Sequence, residues 1–434
     1  MTLCNGQRGL KPSYRWYVVA ILWWISFFNY ADRQAVFSVF PLLSRELRLS
    51  NTELGLLGSS FAWVYGLCAP FAGVVVDRVR RKTAIVGGLH AWSLICLATA
   101  SSRNLSHLIF FRAAEGLGET FYYPASTSLI SDYHGIRTRS RALGVHQTSV
   151  YAGTIAGGFF AGLIGQHYGW RSSFIVFGCL GILLGLFISR FLIEPRRGAS
   201  DAGSGPVCQA ASRERRLSLA ETLAVIWRTP VVRTLMLAFL CANFGALVLL
   251  SWTPTFLHDK FDFSLAMAGL NATVYPQVAS MVGAVFGGWS ADGLRKRMPG
   301  GRIIVQALGV LGVVPFAYLS GQLPSLPWTL TALTAWGLFK GFYDASIFAS
   351  VFDLIPPETR GTTAGFMNMV GWLAGGAPAP IVIGYLADSY GLSAAISSTA
   401  IVYVAAALVL LLASAQVARP SAGLAGRVDD SAAR

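Results

Sequence analysis

Seven ionisable side chains occur inside long apolar stretches of the sequence, where a charge is costly. They are Asp32, Arg33, Arg112, Glu115, Glu119, Lys340 and Asp344. Ionisable residues within membrane spans usually face an internal cavity and mark a functional site. The planar fork of an arginine matches a carboxylate, and a carboxylic acid in a low-dielectric cavity can take up and release a proton. These residue types together predict binding of an organic anion coupled to proton movement.

The spacing of these groups predicts which of them lie on one helical face and which can contact different partners. Arg112, Glu115 and Glu119 stand at positions i, i+3 and i+7, on one face of a helix. Asp32 and Arg33 are neighbours, about 100° apart on a helix, and can serve different partners. The seven groups carry four negative and three positive formal charges, a net of −1, and protonation of two carboxylates changes this to +1. The cavity that we expect them to line then attracts an anion.

The elements that position these residues are apolar blocks of about twenty residues, the length that spans a bilayer. Hydrophobic residues make up 54% of the 434 positions and charged residues only 12%, whereas a soluble domain carries about 25% charged residues. The sequence therefore predicts an all-α integral membrane protein with twelve transmembrane helices. The candidate spans are 16–40, 55–76, 84–102, 107–131, 142–166, 172–193, 232–257, 266–291, 302–322, 328–352, 363–388 and 392–415.

The formal net charge of +14 is a topology signal and does not indicate a nucleic-acid partner. Most lysines and arginines fall between spans on the side of both termini, in runs such as 78–82, 137–141 and 295–297. The positive-inside rule then places both termini in the cytoplasm. We therefore expect a multi-pass protein of the cell (inner or plasma) membrane, whose partner is the lipid bilayer.

No motif predicts an enzyme, a metal site or a cofactor. The six cysteines lack a metal-binding spacing, and no HExxH, GxSxG or phosphate-binding loop is present. The missing nucleotide-binding motif also argues against a primary pump.

The chain divides into two related halves. We predict a six-helix bundle over residues 1–195, a polar cytoplasmic linker over 196–231, and a second six-helix bundle with a cytoplasmic tail over 232–434. Residues 73–82 correspond to 288–297, and residues 116–144 align without a gap on 337–365. Parallel repeats of this kind build many secondary transporters, with the substrate site between the halves.

The motifs identify a resemblance to the major facilitator superfamily, whose most recognisable loop matches residues 73–82. Within that superfamily, the sequence resembles the anion:cation symporters that carry sugar acids. The matching pieces are Asn29-Tyr30-Ala31-Asp32-Arg33, Arg112 with Glu119, Tyr123-Pro124-Ala125 and Gly169-Trp170-Arg171. The gating motif is expected at Gly73, Asp77, Arg78 and Arg81, with Asp292 and Arg295 in the second half.

The resemblance implies roles for the residues that match. Asp32 and Glu119 are the expected protonation sites, Arg112 is the residue expected to couple them, and Arg33 is expected to contact the substrate carboxylate. The further substrate contacts that it implies are Tyr65, Gln147 and Asn368.

Three residues depart from the family pattern. Lys340 and Asp344, four residues apart, either neutralise each other or provide a cationic contact for a dianion or a distal hydroxyl; we include both among the substrate contacts. Glu115 is an extra carboxylate and a candidate local partner of Arg112.

The expected function is proton-coupled symport of a small organic anion by alternating access, carried out by a functional monomer. Aldonates, uronates and aldarates are the candidate substrates. The alternatives are a facilitator-type exporter of a neutral sugar, an aromatic acid or a drug, and a non-transporting receptor on the same scaffold.

Overall fold

The computed structural model describes residues 14–195, 219–356 and 359–418, and these residues form helices joined by short connections, with no strand among them. The prediction of an all-α membrane protein with twelve transmembrane helices is confirmed. Spans 1 to 6 are Tyr14–Ser38, Asn51–Arg78, Arg81–Thr99, Leu105–Glu119 continued by Tyr122–Tyr133, Ile136–Tyr168 and Trp170–Phe191. Spans 7 to 12 are Pro230–Phe261, Leu265–Arg295, Gly301–Gln322, Leu326–Asp344 continued by Ile347–Phe352, Arg360–Val370 continued to Tyr390, and Leu392–Ala418.

Two further helices lie outside the spans. A helix at Phe40–Leu47 follows span 1, and a helix at Leu219–Arg228 precedes span 7. The second of these falls within the predicted linker, of which residues 196–218 lie outside the described residues. The predicted division at 195 and 232 stays a prediction, although span 7 begins two residues earlier, at Pro230.

Seven of the described helices are long and apolar enough to cross a membrane by length and hydropathy alone. Spans 1, 3, 4, 8 and 10 fall short of that criterion. Span 4 does so because it is divided into helices of 15 and 12 residues. The interruption follows Glu119 directly, so the break in the helix lies beside one of the predicted functional residues.

The two halves repeat the same packing. In the first half span 1 packs on span 5, span 2 on span 4 and span 3 on span 6; in the second half span 7 packs on span 11, span 8 on span 10 and span 9 on span 12. Details repeat as well. Arg139 donates to the carbonyl of Ser131, and Arg360, its counterpart in the sequence repeat, donates to that of Phe352.

A pair of glycines repeats in the same way. Gly169 ends span 5 with a φ of 83°, and Gly391 ends span 11 with a φ of 80°. Backbone in this left-handed region favours glycine. Each glycine therefore permits the tight turn into the last span of its half.

Contacts between the halves are concentrated at the end of the bundle away from Tyr14 and Ala418, here called the far end. Span 5 packs on span 8 and span 2 on span 11. A Cβ on Gly158 of span 5 would lie 2.6 Å from the carbonyl oxygen of Gly269 on span 8. Asp388 of span 11 accepts hydrogen bonds from the backbone N–H groups of Asn51 and Thr52 at 3.0 and 2.9 Å. These contacts seal the far end of the cleft.

The opposite end of the cleft, here called the terminus side, is loosely packed. Gly73 of span 2, Gly144 of span 5 and Gly365 of span 11 lie toward this side, and a Cβ on any of them would meet no heavy atom within 4 Å. The central cavity therefore lies below a closed far end and above a looser terminus side.

Candidate functional site

A cavity of about 340 Å³ lies between the two halves at mid-depth. Its volume is in the range of small-molecule sites. Spans 1, 2, 4 and 5 of the first half and spans 7, 8, 10 and 11 of the second half contribute to its wall. Its polar and charged lining residues are Tyr30, Arg33, Gln34, Arg112, Gln147, Tyr151, Thr154, Asn243, Thr253, Gln277, Ser280, Lys340 and Asp344.

Arg33 forms a buried ion pair with Glu119 on the first-half side of this cavity. Its Nε and Nη2 atoms donate to the same oxygen of Glu119, Oε2, at 3.1 and 2.5 Å. The side chains are only 9% and 0% exposed. Nη1 of Arg33 and Oε1 of Glu119 are buried and have no hydrogen-bond partner. One donor atom of Arg33 and one acceptor atom of Glu119 therefore remain available for another partner.

Four aromatic rings surround the guanidinium of Arg33. The ring centroids of Tyr30, Phe61, Tyr65 and Trp372 lie 4.7, 4.7, 4.8 and 5.6 Å from its Cζ atom. Aromatic faces attract a cation, and the rings shield the guanidinium from water. The enclosure therefore fixes the cation while leaving its charge available to an anion in the cavity.

Trp372 completes this enclosure from the second half. It lies in a π-helical turn of span 11, Gly371–Gly376, where the N–H of Ala377 donates to its carbonyl at 2.7 Å. Turns of this kind are frequent at functional sites. Because Arg33 belongs to span 1, a change in the cleft between the halves changes the surroundings of this cation.

A second buried ion pair lies behind the first, deeper in the first half. Nη1 of Arg112 donates to Oε2 of Glu115 at 2.5 Å, and both side chains are essentially unexposed. Asp32 accepts a hydrogen bond from the Cys96 thiol at 2.8 Å. Ligand atoms of Asp32, Cys96 and Glu115 lie within 4.8 Å of one another. Two carboxylates this close in a buried site are unfavourable when both are ionised, so a proton is readily shared there.

Lys340 and Asp344 form a third ion pair, on span 10 of the second half. Their side chains are 24% and 38% exposed, far more than the other two pairs, and both line the cavity. Tyr151 of span 5 lines the same region from the opposite half. The two side chains contact each other, which is one of the two arrangements that the sequence left open.

The seven intramembrane charges do not all line the cavity, as the sequence led us to expect. Arg33, Arg112, Lys340 and Asp344 line it, whereas Asp32, Glu115 and Glu119 are buried behind its wall. The reason is the pairing: each of these three carboxylates lies against a hydrogen-bond donor that holds it away from the open space.

The other predicted substrate contacts have different positions. Gln147 lines the cavity, whereas Tyr65 does not line it but places its ring against the guanidinium of Arg33. Asn368 on span 11 is outside the cavity lining, although Asn243 and Gln277 of the second half provide amides there. Its repeat relation to Gln147 therefore does not bring it to the cavity wall.

The gating motif forms ion-pair networks inside each half, in part with residues that the sequence analysis passed over. Arg81 pairs with Asp132 and Glu194 in the first half. In the second half Arg302, one residue into span 9, pairs with both Asp292 and Asp353 at 2.6 Å.

Arg295 pairs with Asp353 at 3.2 Å, and not with Asp292. Gly73 and Arg78 lie in the last two turns of span 2, and the side chain of Asp77 lies outside the described residues. Asp132 and Asp353 stand at equivalent positions of the aligned repeat 116–144 and 337–365, so the sequence did contain the signal for these networks.

Comparison with known proteins gives a family. The sequence model described as Major Facilitator Superfamily matches residues 22–379. "Probable anion transporter 4, chloroplastic" of Oryza sativa subsp. japonica is 29% identical over 374 residues, and the match covers 83% of this chain but only 62% of that protein. The "D-galactonate transporter" of Escherichia coli O6:H1 is 28% identical over 430 residues, covering 94% of this chain and 98% of that protein.

A solved structure has the same fold. The bacterial homolog of the human lysosomal transporter Spinster, in its inward-facing and unoccupied conformation, superimposes with a TM-score of 0.83 at 22% sequence identity. The match covers 96% of this chain and 100% of that chain.

Proposed function

This chain belongs to the Major Facilitator Superfamily, and from that premise we propose that it carries a sugar acid together with protons by alternating access. It is a multi-pass membrane transporter related to sugar-acid and anion transporters, not an enzyme. The proposal adds the coupling ion, the substrate class, a plasma-membrane location with cytoplasmic termini, and a functional monomer.

The buried pair of Arg33 and Glu119 carries the proposal. Arg33 is the cation best placed to hold a carboxylate in the cavity, but Glu119 occupies two of its donors. A proton on Glu119 removes the negative charge that competes for the guanidinium. The fork of Arg33 then binds the carboxylate of the substrate bidentately. Protonation therefore favours substrate binding, and by linkage substrate binding favours protonation to the same degree.

Asp32, Glu115 and Arg112 provide the second part of the coupling. The Asp32–Glu115 pair shares a proton within a cluster that contains the Cys96 thiol. Arg112 is bonded to Glu115 and also lines the cavity. It therefore links the shared proton to an anion in the cavity, and its unpartnered Nε and Nη2 atoms are free to respond when that proton moves.

The charge of the cavity wall favours this reading over export of a drug or a neutral sugar. Three cationic side chains, Arg33, Arg112 and Lys340, line a cavity between two halves. Cations inside a membrane span are costly and usually mark a substrate or ion pathway, and a cavity for an anion accounts for them better than one for an apolar or neutral solute.

Transport into proteoliposomes tests the proposal. We expect D-galactonate uptake to rise with an inward proton gradient in sodium-free buffer. The Glu119→Gln and Asp32→Asn variants should lose uptake driven by the gradient. Glu53→Gln is a matched control, because Glu53 lies in the capping box at the far end of span 2, where glutamine preserves the box.

Three results would contradict the proposal. Undiminished gradient-driven uptake by Glu119→Gln would exclude Glu119 as a proton site. Uptake of neutral sugars only, indifferent to pH, would exclude anion symport altogether, and uptake that needs sodium would replace the proton as the coupling ion.

A further inference from the structure

The pair formed by Lys340 and Asp344 differs from the other two ion pairs of the site in its exposure. The Arg33–Glu119 and Arg112–Glu115 pairs are buried, with side chains at most 9% exposed. Lys340 and Asp344 are open to the cavity and present both charges to whatever occupies it. The cavity therefore has one ion pair buried in its wall at span 1 and another ion pair open to its interior at span 10.

The open pair offers hydrogen bonds of both kinds. An ammonium group has three N–H donors, and a carboxylate accepts through two oxygens. Lys340 uses one donor on Asp344 Oδ2, which leaves two donors beside the free oxygen Oδ1. Tyr151 and Gln147 of span 5 and Gln277 of span 8 add further polar groups to the lining of the same cavity. A hydroxyl, which both donates and accepts, satisfies such a surface.

A second carboxylate on the substrate does not satisfy the hydrogen-bonding groups of Lys340 and Asp344 in this way. A carboxylate only accepts hydrogen bonds, and here it meets the negative charge of Asp344 at the same place as the positive charge of Lys340. The charge count points the same way. Two protons on the seven intramembrane groups leave a net charge of +1, which one carboxylate neutralises and two reverse.

Resting on the proposed function, we infer that Lys340 and Asp344 select a monoanion with a hydroxylated far end, an aldonate, against the corresponding dianionic aldarate. Arg33 on the first half holds the carboxylate. Lys340 and Asp344 on span 10 of the second half contact the other end of the substrate, and Asp344 disfavours a second negative charge there.

D-Galactonate and galactarate are the matched probes, because they share the same carbon stereochemistry and differ only in a terminal hydroxymethyl or carboxylate group. Their dissociation constants for the purified protein are measured by calorimetry at pH 6, where both acids are ionised. The wild type should bind galactonate at least about tenfold more tightly, as expected for one charge repulsion in a partly screened site.

Two variants should move this ratio in opposite directions. Asp344→Asn leaves Lys340 unneutralised, so galactarate should gain about tenfold or more relative to galactonate. Lys340→Gln leaves Asp344 unneutralised, so the preference for galactonate should increase. Asp262→Asn is the matched control: Asp262 is exposed at the far end of span 7 with a φ of 54°, a conformation that asparagine adopts readily. It should leave the ratio unchanged.

The outcomes separate this inference from the function on which it rests. Equal affinity of the wild type for both acids overturns the inference and leaves the proposed function standing, and so does an unchanged ratio in Asp344→Asn. If neither acid binds, both the inference and the proposed function are overturned. The wild-type ratio alone is decisive if a variant does not fold.

Discussion

Replacing Glu119 with glutamine tests the proposed competition between this carboxylate and the substrate for Arg33. Glutamine has nearly the same shape as a protonated glutamic acid but cannot ionise. In the wild type at alkaline pH, a substrate carboxylate must displace an ionised Glu119 from two donors of Arg33, at 3.1 and 2.5 Å. In the variant it displaces a neutral amide.

The magnitude follows from the two hydrogen bonds. A hydrogen bond to a charged group contributes about 1.5–3 kcal/mol net and a neutral one about 1 kcal/mol. If the gain is equivalent to one such difference, about 1.4 kcal/mol, the substrate binds about tenfold more tightly. If both bonds contribute, the gain is about 100-fold. We therefore expect Glu119→Gln to bind D-galactonate between about tenfold and 100-fold more tightly than the wild type at pH 8.5.

The pH dependence of substrate binding should differ between the wild type and the variant in a defined direction. On the proposed mechanism, lowering the pH protonates Glu119 in the wild type and removes the competing charge, so the affinities of the two proteins should converge toward pH 5.5. The dissociation constant of the wild type should rise as the pH rises, and that of the variant should change much less. Binding to detergent-purified protein, followed by calorimetry from pH 5.5 to 8.5, measures both curves.

Stability provides an independent reading of the same variant. Loss of the negative charge leaves Arg33 buried without an ionic partner, and breaking a buried pair typically costs about 3–5 kcal/mol. The substrate-free variant should therefore unfold at a lower temperature than the wild type, and D-galactonate should restore more of its stability. Parallel pH curves for the two proteins would refute the competition, whereas Glu53→Gln should reproduce the wild type in both measurements.

Three other substitutions test the scaffold. Asp388→Ala removes the acceptor that caps span 2 from the opposite half, so the closed far end should lose about 1–2 kcal/mol of stability and open more often; the distance between spin labels on the far ends of spans 2 and 11 reports this. Gly158→Ala inserts a methyl group against Gly269 and should hinder closure of the same end, while Gly144→Ala, with open space around its Cβ, should not; labels on spans 5 and 8 separate the two. Arg81→Gln breaks a buried network and should lower the unfolding temperature while leaving the D-galactonate affinity of the folded protein unchanged.

Much of the architecture was predictable because its signals are local. Hydropathy over about twenty residues places the spans, and the predicted span 302–322 coincides almost completely with Gly301–Gln322. The predicted span 142–166 misses the first six residues of Ile136–Tyr168, because that helix continues through a basic segment beyond the apolar core. Hydropathy does not register a helix that extends into the polar region.

The pairing of the charges was not predictable from local patterns. Arg33 and Glu119 are 86 positions apart, and Asp32 and Cys96 are 64 apart. Which carboxylate neutralises which cation depends on how spans 1, 3 and 4 pack. The helical spacing of Arg112 and Glu115 did suggest their contact, because both lie on one helix. The contact of Trp372 with Arg33 could not be predicted from the sequence, because Trp372 lies in a π-helical turn of span 11.

On the proposed mechanism, the Arg33–Glu119 pair explains why an empty carrier would return across the membrane while a half-loaded one would not. Without substrate, Arg33 is neutralised by Glu119, and no charge in the pair is left uncompensated. With substrate and a proton, the substrate carboxylate takes the place of Glu119 and the pair is again neutral. With substrate alone, one guanidinium faces two negative charges, and moving that excess charge through a desolvated closed state costs several kcal/mol per ion. On the proposed mechanism, coupling therefore arises because the guanidinium of Arg33 can neutralise only one carboxylate at a time. A proton on Glu119 leaves the substrate carboxylate as the charged partner of Arg33.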